Sequence, residues 1–391
     1  MKKNFIVCLL ITTALMHANQ CYTKHLAVIN CPVADLVGEP LGASVLTQYK
    51  QLPLYADSNA CPRIHQALYN ELVSIVDETE HEYCLEILNT YFITPTNAKP
   101  QTRYWTLKKN CTLINNDIKT CIPTPISYKK QAIAAKKPVI VLTKPHHDTM
   151  IFSAGTRFVY LPEQSDNEII TAQRYDYTKK KTITFGLHNS ACRQETTQSS
   201  PTQIRRELIT MIRSWINVHH KTFIPYVWGG CSYVHRYSGN FKLHKNTSDC
   251  SLVYTYPKTK RAPHSGFDCA GLILRAAQIM GIPFFCKNSY TMAAALKPIS
   301  DYSDIQVGDI LWIPGHVMLI ADLKRNTLIE ARGYPQGYGK LQEISISEEF
   351  KDIDSIKQLC AHQNAHKPLL RLNKKGTVIG TIPQYKILKL Y

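Results

Sequence analysis

His264-Ser265-Gly266-Phe267-Asp268-Cys269-Ala270-Gly271-Leu272 runs without a break into an apolar stretch that ends near Met280. The stretch reads as a buried helix whose first residue is a cysteine. A thiol at a helix start lies over the positive end of the dipole, which favours thiolate over thiol and therefore nucleophilic attack. Asp268 stands where an N-cap belongs, with a side chain suited to the orphan N–H groups of the first turn. A cysteine taken alone is more often a small buried hydrophobe than a nucleophile, so the reading depends on what else the chain supplies.

A nucleophilic thiol needs an imidazole partner, which need not be near in sequence. His316 lies between Gly308-Asp309-Ile310-Leu311-Trp312-Ile313 and Val317-Met318-Leu319-Ile320-Ala321, two runs of strand length parted by Pro314-Gly315. A third run, Thr327-Leu328-Ile329-Glu330-Ala331, reads as a neighbouring strand interrupted by one carboxylate. If it lies beside the strand of His316, Glu330 is placed to accept the second imidazole N–H and fix its tautomer. A surface glutamate is the alternative.

The order DC-x-G-L on a helix, then GD-hydrophobic-W, then GHV, then a polar residue on the next strand resembles the NlpC/P60 cysteine peptidases. Upstream, Pro225-Tyr226-Val227-Trp228-Gly229-Gly230 is similar to that family's Y-x-W-G-G signature, and the four motifs fall in order within about 105 residues. The resemblance implies an α+β fold, a papain-like NlpC/P60 catalytic domain with an antiparallel sheet and helices over residues 202–391. It implies Cys269 as nucleophile, His316 as base and Glu330 as the orienting residue, although the family's usual residue at that last place is histidine. In members that cut stems with a free N-terminal L-alanine, the aspartate before the cysteine and the tyrosine of the signature bind the substrate amine. Those roles map onto Asp268 and Tyr226. Such members carry serine directly after the cysteine, where this chain has Ala270. Trp228 reads as a packed indole, and Gly229-Gly230 as a turn needing unusual backbone angles.

The implied reaction is hydrolysis of the γ-D-glutamyl to diamino acid bond in peptidoglycan stem peptides, with no cofactor and no metal. Two alternatives stay open: an amidase acting on the lactyl to L-alanine bond or another amide, and a non-catalytic wall-binding protein, which the departures at Glu330 and Ala270 would suit. A metal site is poorly supported, since the chain has no C-x-x-C pair and its His146-His147 and His219-His220 neighbours point apart on a strand or helix.

With 391 residues and about 100 to 200 per domain, the chain has room for two to four units. Ahead of the catalytic part, short apolar runs alternate with turn residues, which argues for small β modules. Val33-Ala34-Asp35-Leu36, the stretch from Gln66 through Tyr69-Asn70-Glu71 to Glu78, and Tyr83-Cys84-Leu85-Glu86-Ile87 resemble a bacterial SH3-type barrel, placed at 28–122. Asn70 stands where that family has glycine, a turn residue that tolerates the left-handed region. The runs at 137–142, 156–161, 169–172 and 182–185 read as a second SH3-like barrel over 130–193. Linkers fall at Pro123-Thr124-Pro125 and along 194–201. Apolar residues at Ile204, Leu208, Met211, Ile212 and Trp215 then predict an amphipathic helix over 202–216, capped by Thr202.

Met1-Lys2-Lys3, an apolar segment at 5–16 and small residues around Ala18 read as a secretory signal over 1–18. Cys21 does not read as a lipid-attachment site, because bulky polar Gln20 precedes it. No other stretch approaches the roughly 18 apolar residues of a spanning helix, so no stable membrane insertion is expected. The chain has 13 cysteines; without Cys8 in the signal and Cys269 as nucleophile, an odd number is left, so they cannot all pair. Export permits disulfides, with Cys231–Cys250 and Cys111–Cys121 as candidates. The 46 Lys and Arg against 29 Asp and Glu give a formal net charge of +17, which draws an exported protein toward an anionic polymer such as the cell wall. Nucleic acid is not expected as a partner, because the basic residues are scattered and the signal leads away from it. Expected, then, is an exported protein of the periplasm or cell envelope whose partner is peptidoglycan or its stem peptides.

Overall fold

The computed structural model describes residues 25–42, 62–128, 138–148, 150–195, 200–216, 222–238, 264–333 and 339–391. The expected signal segment 1–18, Cys21 and Cys250 lie outside them.

The first part is an antiparallel sheet of seven strands: β1 (His25–Ile29), β2 (Val33–Val37), β3 (Arg63–Leu68), β4 (Leu72–Glu78), β5 (Glu82–Glu86), β6 (Arg103–Leu107) and β7 (Cys111–Leu113), in the order β3-β2-β6-β5-β4-β1-β7. Asn70 turns β3 into β4 at φ +66°, a conformation in which asparagine is less strained than most residues. A short helix α1 (Asn116–Cys121) follows. The second part is a five-stranded antiparallel sheet of β8 (Val139–Leu142), β9 (Arg157–Tyr160), β10 (Ile169–Asp176), β11 (Lys181–His188) and β12 (Cys192–Gln194), ordered β11-β10-β9-β8-β12.

Helix α2 (Pro201–Ile216) begins one residue earlier than the 202–216 read from the sequence. Its first turn is capped by Ser200, whose Oγ accepts from the Gln203 N–H at 3.2 Å, and not by Thr202. Pro201 explains the shift: proline has no N–H to satisfy and suits the first helical position.

Helix α3 (Cys269–Ile279) and the short α4 (Ser289–Ala295) lead into a six-stranded antiparallel sheet. Its strands are β13 (Pro298–Ile299), β14 (Ile310–Ile313), β15 (His316–Asp322), β16 (Thr327–Arg332), β17 (Lys340–Ser345) and, from the end of the chain, β21 (Lys386–Leu388), in the order β13-β21-β14-β15-β16-β17. Between β17 and β21 come α5 (Ile346–Glu349), β18 (Phe350–Lys351), α6 (Ile356–Asn364), β19 (Leu369–Leu372) and β20 (Val378–Ile382); β18, β19 and β20 form a small sheet of their own.

Strand period explains why the middle strands β14 and β15 are largely apolar on both faces. Val317, Leu319 and Ala321 of β15 enter one core with α2 and α3, while Met318 and Ile320 enter a second with Phe350, Ile356 and Leu359. Both faces are covered, so a polar side chain on β15 or β16 must find its partner inside the protein.

Every cysteine among the described residues is a free thiol. The expected Cys111–Cys121 clasp is therefore not present: β7 packs Cys111 against the core of the first sheet, whereas α1 carries Cys121 into a separate cluster with Val28 and Tyr175. Cys231 is buried and donates to the Gly271 carbonyl at 3.4 Å.

Candidate active site

Helix α3 starts at Cys269 because Asp268 caps it: Asp268 is extended, and its Oδ1 accepts from the Gly271 N–H. The helix start is pressed against the turn of the Tyr226-Val227-Trp228-Gly229-Gly230 signature. The Asp268 N–H donates to the Gly230 carbonyl at 3.1 Å, and a Cβ on Gly271 would lie 2.0 Å from that same oxygen. Gly229 occupies the turn at φ +67°, closed by a 2.8 Å bond from the Gly230 N–H to the Val227 carbonyl. Trp228 is 47% exposed, contrary to the packed indole read from the sequence. Gly229 brings the turn onto the Arg63 backbone, and Arg63 donates to the Trp228 carbonyl, so the backbone of this turn is buried while its large side chain is not. Tyr226 is half-buried, forms a parallel bridge with Phe267, the residue before Asp268, and donates its backbone N–H to the Gly339 carbonyl at 2.9 Å.

The Val317 backbone N–H lies near enough to the Cys269 sulfur to favour its charged form, so Cys269 faces β15 at the residue after His316. Strands β15 and β16 are neighbours, and His316 Nε2 meets Glu330 Oε2 at 2.7 Å. Glu330 is fully buried, which rules out the surface alternative. Its other oxygen accepts from Gln342 Nε2 at 2.8 Å. With Nε2 engaged, Nδ1 is the imidazole nitrogen that remains for other chemistry.

Two arginines stand behind this pair. Arg371 lies 3.7 Å and Arg332 3.9 Å from Glu330, and both are also bonded to Glu349, fully buried in the same cluster. Burial pushes the Glu330 carboxyl up, but its bond to His316 and the charges of His316, Arg332 and Arg371 outweigh this and hold it at about 2. Burial and the charge of Glu330 push Glu349 up to about 8, against the two guanidinium groups. His316 is lowered from the usual histidine range by burial, with Arg371 and Arg332 acting in the same sense and Glu330 opposing them. Burial and the neighbouring Asp268 push the Cys269 thiol up to about 12, against the backbone N–H groups of Val317 and Ala270 and the charge of Lys287. Burial thus disfavours the charged forms of both Cys269 and His316, where the helix-start reading expects a thiolate. The dipole is opposed here by burial and an adjacent carboxylate.

Lys287 was not singled out by the sequence. It is 2% exposed, and its ammonium lies 2.8 Å from Asp268 Oδ2. Nothing in Phe285-Cys286-Lys287-Asn288 marks it, because its partner is 19 residues away. Arg371 did leave a signal, a charge inside the apolar strand Leu369-Leu370-Arg371-Leu372, of the kind that drew attention to Glu330. Among the described residues, no group of three His, Cys, Asp or Glu side chains is placed to hold a metal ion. No helix among them is long and apolar enough to cross a membrane.

No family model matches the sequence, and no curated protein matches it. Solved structures do. An NlpC/P60 family protein from Bacillus cereus superposes with a TM-score of 0.52 at 15% identity, covering 82% of this chain and 94% of that one. The chain shares that protein's fold. NlpC2 and NlpC1 from Trichomonas vaginalis also match, each with a TM-score of 0.31, at 12% and 11% identity, covering 83% and 84% of this chain and 94% and 91% of theirs. The B. cereus likeness covers more of the chain than residues 202–391, so it takes in part of the β sheets ahead of α2 as well.

Proposed function

We propose that the chain is an exported cysteine peptidase that hydrolyses the γ-D-glutamyl to diamino acid bond of peptidoglycan stem peptides. The observation that supports this most is the buried Glu330–His316 pair on adjacent strands, with Cys269 near the backbone of the next residue, Val317. The NlpC/P60 fold and the ordered motifs around these residues supply the substrate class. The two β modules ahead of the catalytic part are read as SH3-like.

In this reading attack begins with Cys269 as the thiol and His316 as the neutral imidazole, the forms that burial favours. As the Cys269 sulfur approaches the γ-carbonyl, His316 Nδ1 takes the thiol proton, and Glu330 holds the ring by Nε2 and stabilises the imidazolium that forms. The Cys269 N–H at the start of α3 is aimed at the developing oxyanion. The C–N bond then breaks, His316 gives its proton to the leaving amine, and a thioester remains. Water, deprotonated by His316, hydrolyses that thioester and restores the thiol.

Mass spectrometry of the protein incubated with a disaccharide-linked tripeptide stem and with the free tripeptide L-Ala-γ-D-Glu-diaminopimelate tests this. Release of diaminopimelate from either, absent with Cys269→Ala, is expected. Cleavage at the lactyl to L-alanine bond would replace the peptidase reading with an amidase, and no cleavage by folded protein would favour a wall-binding role.

A further inference from the structure

Asp268 has both oxygens engaged. Oδ1 caps α3 at Gly271, and Oδ2 holds the Lys287 ammonium at 2.8 Å. The carboxylate next to the nucleophile is therefore already neutralised from inside the protein by a lysine that is almost completely buried.

The lysine is held there by the first β module. The Tyr91 N–H donates to the Phe285 carbonyl at 2.9 Å, and the Lys287 N–H to the Tyr91 carbonyl at 3.0 Å, so residues 285–287 are zipped to that module. Asn288, the next residue, caps α4 and donates to the Ile93 carbonyl. The charge of Lys287 reaches the Cys269 and Cys231 thiols and the ring of His65. His65 is buried on β3 with neither ring nitrogen hydrogen-bonded, and burial with the charges of Lys287 and Arg275 lowers it well below the usual histidine range. A free substrate amine brought to Asp268 would meet a carboxylate whose charge is spent and an ammonium of its own sign.

We propose that Lys287 determines specificity: by neutralising Asp268 it removes any selection for a free N-terminal amine, so the site takes N-acylated peptides, such as stems still joined to glycan, at least as well as free-amine peptides. The choice of peptide rests on the proposed reaction; the inference about the amine rests on Lys287 and Asp268.

Binding and turnover are therefore read separately. Calorimetry on full-length Cys269→Ala compares L-Ala-γ-D-Glu-diaminopimelate with its N-acetyl form, and hydrolysis of the same pair is followed with the active protein. The N-acetyl peptide is expected to bind at least as tightly as the free amine. In Lys287→Gln on the Cys269→Ala background, the preference should move toward the free amine by about tenfold or more, the scale of one charge-assisted hydrogen bond. If the active protein or Cys269→Ala favours the free amine tenfold, or the N-acetyl peptide does not bind, the inference falls, and this readout does not depend on any Lys287 variant folding. An unchanged ratio in folded Lys287→Gln also overturns it. Preferred binding of the N-acetyl peptide without hydrolysis keeps the inference and sinks the peptidase reading, whereas hydrolysis with a strong free-amine preference does the reverse.

Discussion

In the proposed reaction His316 works as a base only while it is neutral, and the groups facing it set the pH at which that fails. Burial and the charges of Arg371 and Arg332 lower it from 6.5, so the acid limb of kcat/KM is expected below pH 6.5. The neighbours act with opposite signs, which makes the assignment testable. Glu330 raises His316, so Glu330→Gln should move the limb further toward acid and, by loosening the ring, lower kcat by about a hundredfold. Arg371 lowers it, so Arg371→Gln should move the limb toward neutral pH. Profiles that shift the same way in both variants would mean that this cluster does not tune His316. The alkaline side follows from Cys269: with the thiol raised to about 12 and transfer coupled to attack, no limb is expected near pH 8 to 9, where an ordinary cysteine titrates. Burst titration with a thiol-reactive probe across that range checks this.

At the scale of elements, the site depends on how closely α3 approaches the turn at Val227-Trp228-Gly229-Gly230. Gly271 is in helical conformation, so alanine would ordinarily be favoured there, but its Cβ would lie 2.0 Å from the Gly230 carbonyl. Gly271→Ala is therefore expected to cost about 3 kcal/mol by urea unfolding, with activity lost in parallel. Gly281→Ala, at φ +73° with open space around it, should cost only about 1 kcal/mol, and equal losses in the two would show that steric approach is not what Gly271 serves. The helix and strands themselves were legible, because an N-cap, an apolar run and a Pro-Gly break are local signals. The charge inside β16 pointed to Glu330 for the same reason. What could not be read is whatever depends on a distant partner: Lys287 across Asp268, Arg371 across Glu330, and the exposure of Trp228, which follows from Arg63 far upstream. The thiol's protonation belongs with these, since a helix start is visible in sequence and the burial that opposes its dipole is not.

On the scale of the whole molecule, polar groups from both N-terminal β sheets are built into the part of the chain that carries Cys269. Gln66 of β3 donates to the His264 carbonyl at 2.7 Å and accepts from the Cys231 N–H and the Ser232 hydroxyl, while Ser153 of the second module accepts from the Tyr233 N–H. Trp215 of α2 donates to the Thr143 carbonyl. Most telling is Arg275, on the buried face of α3 and 2% exposed, which bonds Glu71 at 2.9 Å, the Gln66 carbonyl at 3.2 Å and the Cys231 carbonyl at 3.1 Å. A guanidinium in that position tolerates poorly the loss of its carboxylate, since the remaining charge stays buried. Glu71→Ala is thus expected to destabilise the protein by about 3 kcal/mol although it lies in a different module from Cys269. The same contacts predict that the modules unfold together. Tryptophan fluorescence, reporting on Trp105 of β6, Trp215, Trp228 and Trp312, and far-UV circular dichroism should give coincident urea transitions in the intact protein. In Glu71→Ala both should move to lower urea together. Two separated transitions would mean that the modules are docked without being energetically coupled, and the positioning of Lys287 by Tyr91 would then lose its basis in stability.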